Sequence, residues 1–382
     1  MRFILVTAIS LFLLSILAGC KKNDDTIVTP GNPTSTTTVT PGTSTTTISG
    51  TVSSITSFLS ATTTVSSKSG LAQIVTLSEA FKATLTSTQL AAVQLSFSKT
   101  DAQKWSNLPA GDVPRVGINT GSLTSSQLAA FQNLMSSLLA LNVTDEGYDE
   151  MLGDLVADDY LGTINKPTTF GAGYYYIAFL GTPSTTGLWE IHFTGHHYTQ
   201  PFVFNAGQLI GVTPAFRGVE PMAAVTANNR SYQPVEQERQ VFAALLTGLS
   251  SSEQATAKLA ATFSDLILGP GQDGKFPATK VGLSVGSLST DKQKLVLNAL
   301  KLYTNDLEPS LAAIVLAKYT SELANTYVAY SGTTAVNTRN DYIRIDGPSV
   351  WIEFSYQGGA LIPSSPHPHS VWRDHMGDYG GN

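Results

Sequence analysis

The chain has 382 residues, of which 42% are apolar and 13% charged, with a formal net charge of -6. A chain of this length can bury a large core. Nucleic-acid binding requires an excess of basic residues, and this chain has a net negative charge, so no nucleic-acid partner is expected. The single cysteine, Cys20, excludes an intramolecular disulfide and any cysteine-based zinc or iron–sulfur site.

The N-terminus resembles a bacterial lipoprotein signal. An apolar run at 3–17 follows Arg2 and ends in Leu17-Ala18-Gly19-Cys20, and this run is short for a membrane span. By this resemblance, 1–19 is a signal peptide, Cys20 is lipidated, and the protein is an outer-membrane lipoprotein that is periplasmic or surface-exposed. An ordinary secretory signal with an incidental cysteine is the alternative.

Residues 20–70 are predicted to be a lipidated tether. Threonine, serine, proline and glycine dominate this stretch, so it has too little apolar surface to offset the entropy of ordering. About 40 flexible residues reach roughly 35 Å, which would hold a folded domain away from the membrane.

Helical and extended patterns alternate over the rest of the chain. Apolar periodicity predicts helices from 71, from 86, from 124 (with a capping box from Thr124 to Gln127) and at 145–160, then at 235–249, 253–266, 290–306 and 310–330. Strands are expected at 174–180, 188–194, 202–204, 209–213, 342–345 and 350–356. The many acidic residues of the 145–160 helix are interpreted as its solvated face.

Two similar halves are indicated by an internal match. Val116-Gly-Ile-Asn-Thr-Gly121-Ser-Leu aligns without a gap with Val281-Gly-Leu-Ser-Val-Gly286-Ser-Leu, and the segment 176–183 resembles 342–348. We therefore predict an α+β fold, with a single domain at 71–382 made of two helices-then-β-hairpin repeats (about 71–233 and 234–382) packed with pseudo-twofold symmetry.

The six histidines occur in two groups, which suggests one composite site. They are His192, His196, His197, His367, His369 and His375. His367 and His369 are two residues apart on a segment that Pro368 keeps extended, so both imidazoles can reach one ion. On a strand, His196 and His197 would point to opposite faces. If the two halves packed back to back, the groups would lie far apart.

Histidine and carboxylate side chains without cysteine suit Zn, Cu, Fe or Ni. Glu353 is included among the candidate ligands because its strand position aligns with that of His192. Arg373 either binds an anionic substrate group or pairs with a neighbouring carboxylate. The predicted metal ligands are His367, His369, His197 and Glu353, and the predicted catalytic residues are His196, His197, Arg373 and Asp374.

Three motifs carry a family resemblance. They are Gly195-His196-His197, the run Thr213-Pro-Ala-Phe-Arg-Gly218-Val-Glu220-Pro221, and His367-Pro-His369-Ser-Val-Trp-Arg373-Asp374 with Asp378-Tyr-Gly380. Together they resemble the domain-of-unknown-function family numbered 3500, from about residue 71 to the end. The resemblance implies no particular activity, and Tyr198 stands where that family pattern leads us to expect an aliphatic residue.

Two functions are consistent with these patterns. The first is an exported, membrane-anchored metalloprotein, a metal-dependent hydrolase or oxidoreductase acting on an extracellular small-molecule or other substrate. The alternative is a non-catalytic extracellular ligand-binding lipoprotein, in which the histidines form a structural cluster with Trp351 and Trp372 or these aromatic residues line a sugar cleft.

Overall fold

A long mixed β-sheet is the central element of the fold. The computed structural model describes residues 48–49, 55–60, 70–164 and 169–381. The predicted signal peptide, Cys20 and most of the predicted tether lie outside these residues. Within them, no helix is both long and apolar enough to cross a membrane.

The helices of the described residues are α1 Thr56–Ser60, α2 Leu71–Ala83, α3 Ser87–Val93, α4 Lys99–Ala102, α5 Ser125–Met135, α6 Tyr148–Ile164, α7 Glu236–Thr247, α8 Ser251–Ala257, α9 Thr290–Asn305 and α10 Pro309–Ser321. The strands are β1 Ile48–Ser49, β2 Gln94–Leu95, β3 Ile118–Asn119, β4 Tyr176–Leu180, β5 Trp189–Thr194, β6 Tyr198–Asn205, β7 Gln208–Gly211, β8 Ala215–Gly218, β9 Val225–Ala227, β10 Arg230–Tyr232, β11 Leu283–Ser284, β12 Tyr327–Ser331, β13 Tyr342–Asp346, β14 Val350–Gly358 and β15 Pro366–Asp374.

Twelve of these strands form one sheet. Its order is β11-β12-β13-β14-β15-β8-β6-β5-β4-β2, with β3 beside β4 and β7 beside β6. A small second sheet contains β1, β9 and β10. The expected α+β fold is confirmed, and strands from the two predicted halves meet where β15 pairs with β8.

The two faces of the large sheet are covered differently. Alternate residues of β4, such as Ile177 and Phe179, join the main core with the helices, whereas Ala178 and Leu180 join a smaller apolar cluster on the other face. On β15, Trp372 belongs to the helix-covered face and Val371 to the second face. Loops, including Trp105 and Leu266, cover the second face.

Local sequence signals set several helix starts. The capping box predicted from Thr124 to Gln127 is present, and Thr86 with Gln89 and Ser250 with Glu253 form the same motif. Two helix ends differ from prediction, because the 253–266 helix stops at Ala257 and the 310–330 helix at Ser321. Sheet pairing replaces the helix there: β12 follows, and Leu259 donates its N–H to the Tyr330 carbonyl at 2.7 Å.

The internal match places two short strands in equivalent settings. Ile118 of β3 pairs with Ile177, and Leu283 of β11 pairs with Val328. The preceding Gly117 and Gly282 have φ of 93° and 100°, where a side chain would collide with the partner strand. The strand next to β11 is thus β12, and not β13 as the alignment of 176–183 with 342–348 implied. A pseudo-twofold relation between whole halves stays a prediction.

The acidic helix α6 is buried, so the interpretation of its acids as a solvated face is wrong. Glu150, Asp154 and Asp158 follow one another at four-residue spacing and are 0%, 1% and 1% exposed. Such a spacing lines one helix face, and here that face meets Arg217 and His196.

Part of the predicted tether also belongs to the core. Ile55 and Phe58 are 1% and 4% exposed, Ile55 donates its N–H to Asp159 at 2.6 Å, and the Gln132 amide donates to the Phe58 carbonyl at 2.8 Å. The prediction of a solvated tether therefore fails at residues 55–60.

Phe58→Ala should lower the free energy of unfolding by about 3–5 kcal/mol, because the substitution removes a buried aromatic ring and leaves a cavity. Urea denaturation measures this change. Ser57→Ala, on the exposed side of α1, is the control and should match wild type within about 0.5 kcal/mol. Equal stability of Phe58→Ala and wild type would contradict the buried position.

Candidate metal centre

Strand register brings the two histidine motifs together on the second face of the sheet. On β15, His369 lies directly opposite Gly218 of β8, and on the other edge of β8 Arg217 pairs with Tyr198 of β6. The Gly195 N–H donates to the Tyr198 carbonyl at 2.8 Å. This closes a tight turn between β5 and β6 that carries His197 to the edge of β8.

Three imidazole nitrogens converge at this point. The Nε2 atoms of His367 and His197 are 2.9 Å apart, and those of His369 and His367 are 3.1 Å apart. Tetrahedral Zn–N bonds of about 2.0–2.1 Å place two ligand nitrogens roughly 3.3 Å apart. His197, His367 and His369, here called the histidine trio, are therefore spaced as ligands of one transition-metal ion, and they form a potential metal-binding group.

Gly218 provides the space in which the trio assembles. A Cβ atom at this position would lie 3.0 Å from Cδ2 of His369 and 3.1 Å from Cδ2 of His197. Both distances are shorter than ordinary van der Waals contact, so any larger residue would press the two rings apart.

Carboxylates orient the trio from behind. His369 Nδ1 lies 3.1 Å from Asp265 and also contacts the amide nitrogen of Gln357. A carboxylate can only accept and an amide nitrogen can only donate, so Asp265 favours a proton on Nδ1 of His369 and Gln357 favours a proton on Nε2. Glu220 approaches His367 Nδ1 at 3.8 Å. A carboxylate at the second ring nitrogen is a common partner of a metal-binding histidine, and Asp265 lies at hydrogen-bond distance in this position whereas Glu220 does not.

His196 lies beside the trio without belonging to it. Its ring stacks on His197 with centroids 3.6 Å apart, and its Nδ1 is 2.6 Å from Asp158. The expectation that His196 and His197 face opposite sides is wrong, because the two residues form a turn and not a continuous strand. His196 is 7% exposed and has the ring edge of Phe170 beside it.

Two of the three imidazoles, those of His197 and His367, are uncharged near neutral pH. Burial, followed by the repulsion of the neighbouring imidazoles, holds the pKa of His197 and His367 well below the usual histidine range. Burial acts to raise the pKa of Asp265, but its electrostatic interaction and hydrogen bond with His369 outweigh burial, and the pKa is lowered. Histidine binds a metal ion as the neutral ring, so the lowered pKa values of His197 and His367 favour metal binding.

The predicted residues Glu353 and Arg373 lie apart from the trio and anchor a loop. Glu353 accepts hydrogen bonds from the N–H groups of Ile267 and Leu268 and from the Tyr342 hydroxyl. Arg373 pairs with Asp273 at 3.0 Å and with Asp378 at 3.1 Å. The same loop carries Asp265, so these two side chains hold in place the segment that orients His369.

Asp374 likewise lies outside the trio. It accepts hydrogen bonds from Lys318 at 3.0 Å and from the Tyr319 hydroxyl at 3.1 Å. The remaining histidines are separate too, since His192 contacts Glu190 and His375 contacts Asp346. The structure thus brings together His197, His367 and His369, with His196 adjacent, and leaves the other predicted site residues elsewhere.

The aromatic residues of the alternative interpretation are not available to a ligand. Trp351 and Trp372 are 0% and 2% exposed. The Trp372 indole donates to the Tyr319 hydroxyl at 3.1 Å on the helix-covered face, away from the histidines. Phe216, and not a tryptophan, packs against His369, with ring centroids 5.2 Å apart.

Four residues of the site were not predicted from the sequence: Gly218, Glu220, Asp158 and Asp265. Gly218 and Glu220 stand inside the motif 213–221, so a signal for them was present. Asp158 is one acid among many on α6, and Asp265 stands in a loop without a motif. Only the contacts of Asp158 with His196 and of Asp265 with His369 distinguish these two aspartates from the other acidic residues of the chain.

The chain is an α+β protein in which three buried histidines lie close enough to hold one metal ion. A family model described as "Protein of unknown function (DUF3500)" matches residues 67–381. The chain belongs to this family. Neither the curated proteins nor the solved structures gave a match to the chain.

The lowered pKa values predict how stability depends on pH. Below pH 6.5 these two histidines bind protons in the unfolded chain but stay neutral in the folded protein, so protonation favours unfolding. Their contribution to the free energy of unfolding is therefore complete above pH 6.5 and is lost as the pH falls below it. In chelator, the gap in unfolding free energy between wild type and His367→Gln should narrow from pH 7 to pH 5, by up to about 1.4 kcal/mol per unit.

Urea denaturation at each pH checks this expectation. Phe58→Ala, which changes no titrating group, is the control, and its gap to wild type should stay constant. Parallel curves for His367→Gln and wild type would contradict the lowered pKa.

Proposed function

We propose that the protein is an exported, lipid-anchored metalloprotein, a metal-dependent hydrolase whose ligands are His197, His367 and His369. The observation that supports this most is the convergence of three Nε2 atoms, with neighbouring pairs 2.9 and 3.1 Å apart. Among the nitrogen-preferring metals Zn, Cu, Fe and Ni, zinc accepts this three-histidine set with the fourth position left to water.

Hydrogen bonding among neutral rings explains the trio less well than a metal ion does. The Nε2 of His367 faces two other Nε2 atoms, those of His197 and His369. One ring hydrogen cannot satisfy all three nitrogens in a linear geometry. A shared cation satisfies every lone pair at once.

Hydrolysis follows from the groups around the trio. A metal ion bound by three histidines lowers the pKa of its water to about 7 and so supplies a hydroxide nucleophile. His196, hydrogen-bonded to Asp158 at 2.6 Å and stacked on His197, is placed to take up and return a proton beside that nucleophile. Asp265, whose side chain is 43% exposed, marks the side from which a substrate enters.

The location of the protein is proposed from its N-terminus. The segment 1–19 and Cys20 have the pattern of a lipoprotein signal, with Lys21 favouring the outer membrane. A catalytic domain on a lipid anchor outside the cytoplasm would act on a periplasmic or extracellular substrate.

Elemental analysis of the purified protein should find about one transition-metal ion per chain. His367→Ala and His369→Ala should each lose it, because two histidines hold such an ion weakly. The matched control is His375→Ala, a histidine from the same segment outside the trio, which should keep the metal. Absence of stoichiometric metal from every variant would refute the metal centre.

The hydrolytic step is tested on the same preparations with ester, amide and phosphoester model substrates. Turnover should require the metal, and His196→Ala should lose about 100-fold or more in rate while it retains the metal. If His196→Ala keeps full turnover, its acid–base role is wrong. If metal-loaded wild type turns over none of the substrates, the hydrolase assignment fails although the metal centre stands.

The lipid anchor is tested by Cys20→Ser, which removes the acceptor thiol and should move the protein from the membrane pellet to the soluble fraction. Lys21→Asp is the control, since lipidation is retained and only sorting towards the inner membrane should change. A wild-type protein that is soluble after cell fractionation would disprove the anchor.

A further inference from the structure

A second group of potential metal ligands lies on the helix-covered face of the sheet. Glu146 precedes α6, Glu238 is in the first turn of α7, and Asp306 follows the last residue of α9. Carboxylate oxygens of these three residues, here called the carboxylate triad, all lie within 4.8 Å of one another. The residues are 8%, 0% and 2% exposed.

The acidic side chains around the triad outnumber the basic ones. Glu150 and Asp154 of α6 are also buried beside it. Arg217 donates to Glu150 at 2.7 Å and to Asp306 at 3.5 Å. Within the described residues, no other lysine or arginine forms an ion pair with any of these carboxylates. One guanidinium group faces five buried carboxyl groups. Most of these carboxyl groups therefore lack a counter-charge, and burial makes their ionised form costly.

An unpartnered side chain points to a missing cation. Neither oxygen of Asp154 accepts a hydrogen bond, although the residue is 1% exposed. This carboxyl group interacts electrostatically with Arg217, and also with the carboxyl groups of Glu238 and Asp306. The oxygens of Glu238 likewise have no hydrogen-bond partner. Its polar neighbours are the carboxyl groups of Asp306 and Glu150, its own backbone N–H, and the guanidinium of Arg217. Buried acceptors are normally satisfied, so this arrangement calls for a positive partner.

We propose that the carboxylate triad binds a Ca²⁺ ion, with Glu150 and Asp154 adding oxygens or negative field around it. Carboxylate oxygens are the ligands of hard cations. Ca²⁺ takes 6–8 oxygens at about 2.3–2.6 Å, so two ligands on opposite sides of the ion can be roughly 5 Å apart. Mg²⁺ needs shorter bonds and keeps several waters, for which this buried position has little room.

Such an ion would join parts of the chain that are distant in sequence. Glu146 belongs to the first predicted half, whereas Glu238 and Asp306 belong to the second. The ion would also fix the start of α6, the helix that supplies Asp158 to His196. The Ca²⁺ site is independent of the proposed hydrolase function, since its ligands and metal class differ from those of the histidine trio.

Shared protons are the competing explanation for the triad. Burial, then the neighbouring carboxyl groups, raises the pKa of Glu146 to about 12 and that of Glu238 to about 7. Without an ion, carboxyl groups in this environment therefore hold protons. A cation would displace these protons, so calcium dependence separates the two explanations.

The test compares thermal unfolding and calorimetric binding of the full chain in chelator, with Ca²⁺ and with Mg²⁺ added separately. Saturating Ca²⁺ should raise the melting temperature of wild type by roughly 4 °C or more. Glu238→Gln should unfold at or above the wild-type temperature in chelator, because it removes a buried carboxyl group whose ionised form its acidic neighbours repel, and should lose at least about tenfold in Ca²⁺ affinity. Glu146→Gln serves as a second variant if Glu238→Gln does not fold.

Two controls make the result specific. Glu236→Gln changes a carboxylate in the same turn of α7 that pairs with Arg239 at the surface, and it should keep the full Ca²⁺ response. His369→Ala should also keep it, which separates this site from the histidine trio. No Ca²⁺ response in wild type, an undiminished response in Glu238→Gln, or a response to Mg²⁺ alone would each overturn the proposal.

Discussion

The pairing of β15 with β8 is the interaction on which the candidate site depends. β15 pairs along its whole length with β14, and on its other edge residues 369–372 pair with β8. Since strand side chains alternate between faces, a slip of one residue would turn His367 and His369 towards the helices. Register therefore decides whether the histidine trio exists. Gly218 adds a second condition, because a Cβ atom at this position would lie 3.0 Å from the ring of His369 and 3.1 Å from that of His197.

The loop between α8 and β11 shows how buried charges can serve a site without entering it. Glu353 holds this loop through the N–H groups of Ile267 and Leu268, and Arg373 holds it through Asp273. Between these anchors and the end of α8, Asp265 reaches His369. Glu353 was predicted from the sequence to bind metal and Arg373 to be catalytic. In the structure, both residues instead hold the loop that positions Asp265.

Helix α6 connects the two unusual regions of the molecule. Its buried acidic face runs from Glu150, beside Arg217, through Asp154 to Asp158, beside His196. From Glu150 to Asp158 this is a helical rise of about 12 Å. Burying a row of carboxyl groups weakens a fold unless each finds a counter-charge, a proton or a donor. The fold retains the row nevertheless, and its two ends meet a guanidinium and an imidazole.

Local patterns in the sequence determined the α+β class, the capping boxes and the hairpin strands β13 and β14. They also determined that His367 and His369 point to the same side of one strand. All of these features depend on residues that are only a few positions apart. The resemblance to the family came from short motifs of the same kind. Burial of the α6 acids, the turn at His196 and His197, the strand β12 and the roles of Asp158 and Asp265 depended on contacts between residues distant in sequence. Tertiary structure alone decided these features, since propensity describes the chain locally and cannot say which face of a helix or strand meets another element.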